Sequence, residues 1–162
     1  MQGIIYQLNI KSKVEGERGL PKKAVEFGNL TFNGFEGDYN HFRTNWKSGT
    51  FNRSVLIIPL ETICELKIEE WPVESGHLGE NITTKGIPYS SFAIGKKYSI
   101  GVAEIEISEI CKPCKVLSTL PYIGNERISE FVKALVCRRG WYAKVIREGL
   151  LRKGDLINEF VT

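Results

Sequence analysis

Ala103-Glu104-Ile105-Glu106-Ile107-Ser108 alternates without a break, with Ala103, Ile105 and Ile107 on one side and Glu104, Glu106 and Ser108 on the other. A period of two is the pleat of a β-strand with one buried face; a helix would scatter the same side chains around its axis. The strand runs into Cys111-Lys112-Pro113-Cys114, the one place where two reactive side chains sit at a fixed short spacing. This stretch therefore sets two expectations together, a frame built of sheet and a thiol site at a strand end.

Other short segments read the same way. In residues 3–10, Ile4, Tyr6, Leu8 and Ile10 fall on one side, with Gln7 and Asn9 opposite, which predicts a half-buried first strand. A second short strand is expected over 24–27. Ser54-Val55-Leu56-Ile57-Ile58 is apolar and rich in β-branched residues, so it predicts a buried strand. Phe92-Ala93-Ile94-Gly95 and the segments 141–146 and 156–160 predict three more, the last two separated by turns at Gly149 and Gly154-Asp155.

Two helices stand out against this pattern. Pro59 suits the first turn of one, with Leu60, Ile63 and Cys64 on its apolar face, so Cys64 reads as a core residue. Asn125 is placed to cap the other, whose apolar face Ile128, Phe131, Val132, Leu135 and Val136 follows the i, i+3, i+4, i+7, i+8 spacing. Arg138, Arg139 and Gly140 close it with cations at the carbonyl end and a glycine stop. Many short strands, glycine turns and few helices predict a mainly β fold, a closed or partly open barrel with two or three short helices, forming a single domain over residues 1–162.

Composition narrows the classes of function. With 162 residues, 42% of them hydrophobic, the chain can bury an ordinary core without staples. No run approaches the roughly 20 apolar residues of a membrane span, and the first residues lack the pattern of a signal peptide, so a cytoplasmic protein with no membrane partner is expected. The formal charge of +3 is too small to indicate nucleic acid, although it favours an anionic ligand over a cationic one. Cys64, Cys111, Cys114 and Cys137 are expected as free thiols.

A soft thiolate at residues 111–114 can hold a soft metal, carry a sulfur atom, or exchange with a disulfide. Structural zinc usually takes four ligands, and here a single Cys pair stands far in sequence from His41 and His77. A thioredoxin-like pair belongs at a helix start, and this one follows a strand. No nucleophile signature of a hydrolase surrounds any cysteine, and no Gly-rich phosphate loop joins a strand to a helix. What remains is a thiol beside cations: Lys112 and Lys115, with Arg53, Arg138 and Arg139 brought in by the fold. Positive charge favours the thiolate, and such a site suits an anionic cofactor whose metal takes one sulfur from the protein. The long stretch from Leu30 to Asn52 is rich in Gly, Asn and aromatic residues, which argues against simple disorder and predicts either a functional loop or a lid that merely covers the end of the barrel.

In order along the chain, Gly34-Phe35-Glu36-Gly37-Asp38, Arg53-Ser54-Val55-Leu56-Ile57-Ile58-Pro59-Leu60-Glu61, Leu78-Gly79-Glu80-Asn81-Ile82-Thr83-Thr84-Lys85-Gly86, Ile94-Gly95, Ile100-Gly101, Pro113-Cys114, Gly140-Trp141-Tyr142-Ala143-Lys144-Val145 and Gly154-Asp155 resemble the MOSC domain family. The family takes its name from the C-terminal region of molybdenum cofactor sulfurases. The resemblance implies a barrel like that of the pyruvate-kinase β-domain and one essential cysteine, Cys114, which follows the proline of the pattern. In relatives this cysteine is thought to ligate molybdenum in a pterin cofactor (molybdopterin) or to carry activated sulfur.

By the same resemblance Gly79, Glu80 and Asn81 would line the pocket, Arg53, Lys112 or Arg138 would meet the cofactor's phosphate, and Asp38, His41 and Tyr142 would also contact the cofactor. Relatives often place a histidine close behind the Gly-Asp pair, whereas here Tyr39-Asn40 push His41 one position further. No pyridoxal phosphate site is expected within the chain. Two functions follow: an oxidoreductase reducing N-hydroxylated substrates with electrons from a partner protein, or a non-enzymatic carrier of sulfur or cofactor served by a sulfur-donor protein.

Overall fold

The structure is a computed structural model describing residues 1–39 and 50–160. Its strands are β1 (Gln2–Ile10), β2 (Lys23–Val25), β3 (Phe27–Thr31), β4 (Gly34–Phe35), β5 (Val55–Pro59), β6 (Ile82–Lys85), β7 (Lys97–Ile100), β8 (Ala103–Ile110), β9 (Trp141–Arg147), β10 (Gly149–Arg152) and β11 (Leu156–Glu159), with helices α1 (Leu60–Ile68) and α2 (Gly124–Ala134). Seven strands close on themselves in the order β1-β11-β7-β8-β9-β5-β6. Within the ring β5 and β6 run parallel, as a crossover through α1 requires, and the other pairings are antiparallel. Closure removes the sheet edges that an open sheet of this size would leave to be protected. Strand β2 adds to β1 outside the ring, and β10, β3 and β4 form a second, three-stranded sheet.

The barrel is filled by Ile5, Leu8, Val55, Ile57, Ile82, Tyr98, Ile100, Ile105 and Ile107 among others. A second core lies where the helices pack, around Ile58, Ile63, Leu66, Trp71, Leu117, Phe131 and Leu135. Strand β8 follows its alternation: Ala103, Ile105 and Ile107 are buried, and the outward carboxylates pair across to β9, Glu106 with Lys144 at 2.9 Å and Glu104 with Arg147 at 2.9 Å. The mainly β barrel, with two α-helices among the described residues, is thus the architecture the alternation and turns predicted.

Several local expectations are corrected. The face of β1 is not Ile4, Tyr6, Leu8 and Ile10: a register shift against β6 between Ile5 and Gln7 puts Ile5 and Leu8 in the core and leaves Tyr6 exposed. The segment 24–27 divides between β2 and β3. Phe92–Gly95 is not a strand; β7 begins only at Lys97. Gly149 opens β10 rather than a turn. On α1 the buried side chains are Thr62, Ile63 and Leu66, and Cys64 is exposed. Helix α2 starts at Gly124 with no side-chain cap, so Asn125 does not cap it, and Val136 lies exposed beyond its end. His41 and most of the expected functional loop lie outside the described residues.

Candidate functional site

Strand β8 shifts register against β9 between Ile107 and Glu109, and Glu109, Ile110 and Cys111 all line one cleft at the barrel end. The cleft has a volume of about 260 Å³ and is lined by Arg18, Gly19, Leu20, Lys22, Tyr39, Arg53, Leu56, Gly79, Glu109, Ile110, Cys111, Lys112, Cys114, Val116, Arg139 and Tyr142. Five of these are cations, Arg18, Lys22, Arg53, Lys112 and Arg139, against the single carboxylate of Glu109. A concave wall with this imbalance attracts anions and concentrates them at the thiols.

Cys114 is half-buried and extended, standing just before the 3-10 turn Lys115–Thr119. Cys111 is buried: its N–H donates to the Gly140 carbonyl at 2.9 Å, which ties the end of β8 to the start of β9. On β9, Tyr142 packs beside Cys111, and burial, followed by that neighbouring thiol, holds its phenol well above the ordinary range. It stays protonated and is a hydrogen-bond donor at neutral pH. The guanidinium of Arg53 sits 5.3 Å from the centre of the Tyr142 ring and is gripped by both oxygens of Glu109 at 2.6 and 2.7 Å, a pairing that raises its pKa further.

On the opposite wall, Lys22 and Asp38 form a buried ion pair at 2.5 Å. Asp38 also accepts from the Lys11 N–H at 3.0 Å and from Asn81 Nδ2 at 2.8 Å. Asn81 in turn donates from Nδ2 to the Asn9 carbonyl at 3.3 Å and accepts at Oδ1 from the Leu56 N–H at 3.3 Å. It therefore braces β1, β5 and the Asp38 loop from behind the cleft.

Arg139 is 4% exposed, and its Nε and Nη1 have no hydrogen-bond partner. Gly140 fixes where it stands: its φ is +110°, and a Cβ there would come 2.6 Å from the Ile57 carbonyl oxygen, so only glycine fits between Arg139 and β9. Gly79, at φ +80°, closes the other side, with Arg139 Nη2 4.0 Å from where its Cβ would be.

Of the residues expected at the site, Arg53, Gly79, Lys112, Cys114 and Tyr142 line the cleft together. Asp38 and Asn81 stand behind it. Glu80 turns away, its Oε1 accepting from the Gly76 N–H at 2.5 Å and the Thr83 hydroxyl at 3.2 Å; Oε2 has no partner, and burial pushes the carboxyl up. Arg138 is directed to the surface and pairs with both oxygens of Glu69 at 2.6 and 2.8 Å, so of the two neighbouring arginines it is Arg139 that lines the cleft. Arg18, Lys22, Tyr39 and Glu109 went unread, and Cys111 lines the cleft beside Cys114. The one available signal was for Arg139, which abuts the Gly140-Trp141-Tyr142 motif.

The residues fit an anionic, metal-bearing pterin: a half-exposed thiol, an unpartnered buried guanidinium and a surplus of cations face one cavity. Among the described residues no three His, Cys, Asp or Glu side chains converge on a point, so a metal held at Cys114 has to bring its other ligands with it.

The fold recurs in solved structures. The YuaD protein from Bacillus subtilis is 20% identical, with a TM-score of 0.78 over 97% of this chain and 94% of that one. YiiM from Geobacillus stearothermophilus is 21% identical (TM-score 0.74, 98% of this chain, 75% of that one), and YiiM from Escherichia coli 21% (0.68, 100% and 71%). None of the curated proteins matches the chain. The MOSC domain model matches residues 23–158, from β2 to β11, and the chain belongs to the MOSC domain family.

Proposed function

We propose that the cleft binds a molybdenum-bearing pterin with the Cys114 thiolate as the protein's ligand to the metal, and that the chain works as one domain reducing N-hydroxylated substrates with electrons from a partner protein. MOSC domains are associated with molybdenum-cofactor-related proteins. The observation that carries the reading is the meeting of the half-exposed Cys114 with the unpartnered Arg139 in one cationic cleft. When bound, the cofactor supplies the electron store and oxygen-accepting centre that side chains lack.

The chain's own residues do the rest. Cys114 orients the metal end, and Arg139, with Lys112 at the rim, offers charge to the anionic end. Arg53, fixed by Glu109 and stacked on Tyr142, stiffens the wall between them. Reduction of an N–OH group takes up two electrons and two protons and releases water, so the site also needs a proton donor near the substrate. The protonated Tyr142 phenol is positioned on the wall for hydrogen bonding to the leaving oxygen.

The test is elemental analysis with fluorescence of the oxidised pterin, on protein made where molybdenum cofactor is abundant. Near-stoichiometric molybdenum in the native chain and its loss in Cys114→Ser support ligation by Cys114; equal metal in both sinks it. The partial exposure of Cys114 beside a second thiol favours, as the other reading, a carrier of sulfur. Metal-free native protein carrying a persulfide on Cys114 by mass spectrometry would select it.

A further inference from the structure

We infer that Cys111 and Cys114 form a dithiol that closes to a disulfide within the cleft by exchange with an anionic low-molecular-weight disulfide, Cys114 meeting the reagent and Cys111 resolving it. Neither ligation of a metal nor carriage of sulfur by Cys114 uses Cys111, yet both side chains line the same cavity. Their exposures divide the work. Cys114 is half-buried and is reached first, whereas Cys111 is 4% exposed and shielded from a bulky reagent. Cys64 on α1 and Cys137 beyond α2 are exposed, do not line the cleft and have no part in the exchange.

The backbone leaves one thiol fixed and the other free to move. Cys111 is held by its N–H, which donates to the Gly140 carbonyl at 2.9 Å, with the Tyr142 phenol beside it and Arg53 5.3 Å from the centre of that ring. Its Sγ is 3.9 Å from the Lys112 carbonyl oxygen, so the sulfur leans over the link that leads to Cys114. Among the described residues the N–H groups of Lys112 and Cys114 make no backbone hydrogen bond. The Cys114 backbone is tied only on the far side, where its carbonyl accepts from the Leu117 N–H at 3.2 Å. A disulfide takes Cα atoms within about 7 Å of each other, and a two-residue link without backbone ties can turn to bring them there.

The exchange balances without a metal. The Cys114 thiolate attacks one sulfur of the reagent RSSR, the reagent's S–S bond breaks, and RS⁻ leaves and takes up a proton. The Cys111 thiol then gives its proton to solvent and attacks the Cys114 sulfur, expelling the second RS⁻. Two protein thiols are oxidised and one small disulfide is reduced to two thiols. The five cations of the cleft against one carboxylate favour a reagent that carries carboxylates, and oxidised glutathione is the probe of that class. Closure withdraws the Cys114 thiolate from any metal or sulfur cargo, so the pair switches off whichever role that thiol has.

The experiment exposes the full chain, made without molybdenum cofactor and fully reduced, to oxidised glutathione, and reads the intact protein and its peptides by mass spectrometry after alkylation. Native protein should give an internally bridged Cys111–Cys114 peptide, lighter by two hydrogens, with Cys64 and Cys137 outside the bridge. Cys111→Ser should stop at the mixed disulfide, with one glutathione on Cys114; Cys111→Ala repeats the test with an apolar side chain in case a buried hydroxyl prevents folding. Oxidised glutathione should react about 10-fold faster than uncharged hydroxyethyl disulfide at low salt, and the gap should narrow at high salt. A native chain that halts at the mixed disulfide, or a bridge that takes in Cys64 or Cys137, overturns the inference. A rate ratio that salt does not change overturns the anionic class of the reagent. A Cys111–Cys114 bridge in a chain that never takes up molybdenum sinks the metal reading alone.

Discussion

Both walls of the cleft bury a cation, and they treat it in opposite ways. On one wall Lys22 is answered by Asp38, and Asp38 by Lys11 and Asn81, so every charge has a partner inside the protein. On the other, Arg139 is buried as deeply and its Nε and Nη1 have none. The first arrangement satisfies its charges within the protein; the second leaves two buried N–H groups unsatisfied, which costs stability.

The contrast is broken most strongly by making the first wall resemble the second. Asp38→Ala removes the carboxylate of a buried ion pair and takes an acceptor from Asn81, so it should cost about 3–5 kcal/mol in urea unfolding. Lys22→Met with Asp38→Ala should recover most of that loss, since no buried charge then remains. If the single and double variants are equally unstable, the ion pair is not what holds that wall.

Gly140→Ala acts on the other wall. At φ +110° and 2.6 Å from the Ile57 oxygen, an added methyl forces the turn that carries Arg139 to move. A loss of about 3 kcal/mol is expected. Unchanged stability would show that the turn is not constrained as described.

Glu80, behind the cleft, makes stability depend on pH. Its folded carboxyl keeps its proton to a higher pH than the unfolded one, whose ordinary value is 4.5. Its stabilising contribution is therefore full below 4.5 and is lost as pH rises through the raised folded value, at up to about 1.4 kcal/mol per pH unit. Unfolding measured between pH 4.5 and 8 should show that decline in native protein and a flatter profile in Glu80→Gln; parallel profiles would assign the slope to other groups. The smallest effect belongs to the rim: Glu109→Gln releases Arg53 at a cost of at most about 1 kcal/mol, because the pair is exposed to solvent.

Much of the frame was legible because it repeats. The alternation of β8 reads directly as one buried face, and the apolar run of β5 reads as a strand buried on both sides, since each is a local pattern multiplied over several residues. Where the pattern breaks, reading fails for a local reason. The register shift in β1 exchanges faces midway, and no composition signals it. Strand β10, with Leu150 and Leu151 next to a glycine, is too short to show a period, and it is a strand because β3 lies alongside.

Half of the expected site residues line the cleft, among them Cys114 behind Pro113 and Tyr142 behind Gly140-Trp141, whereas Asp38, Glu80 and Asn81, which also sit in motifs, turn their side chains into the packing behind it. Arg138 and Arg139 could not be told apart in sequence: they are chemically identical neighbours in a turn, where no periodicity says which points inward.

By itself the sequence determined the kind of fold and the placing of two thiols at a strand end, because pleat, turns and a spaced cysteine pair are properties of contiguous residues. Tertiary structure alone decided which charges are answered. Asp38 meets Lys22 and Asn81, Glu69 meets Arg138, and Arg139 meets nothing within the described chain, and each outcome depends on what distant segments bring into range. A charge's partner is set by distance in space, and at these separations along the chain the sequence carries no measure of it.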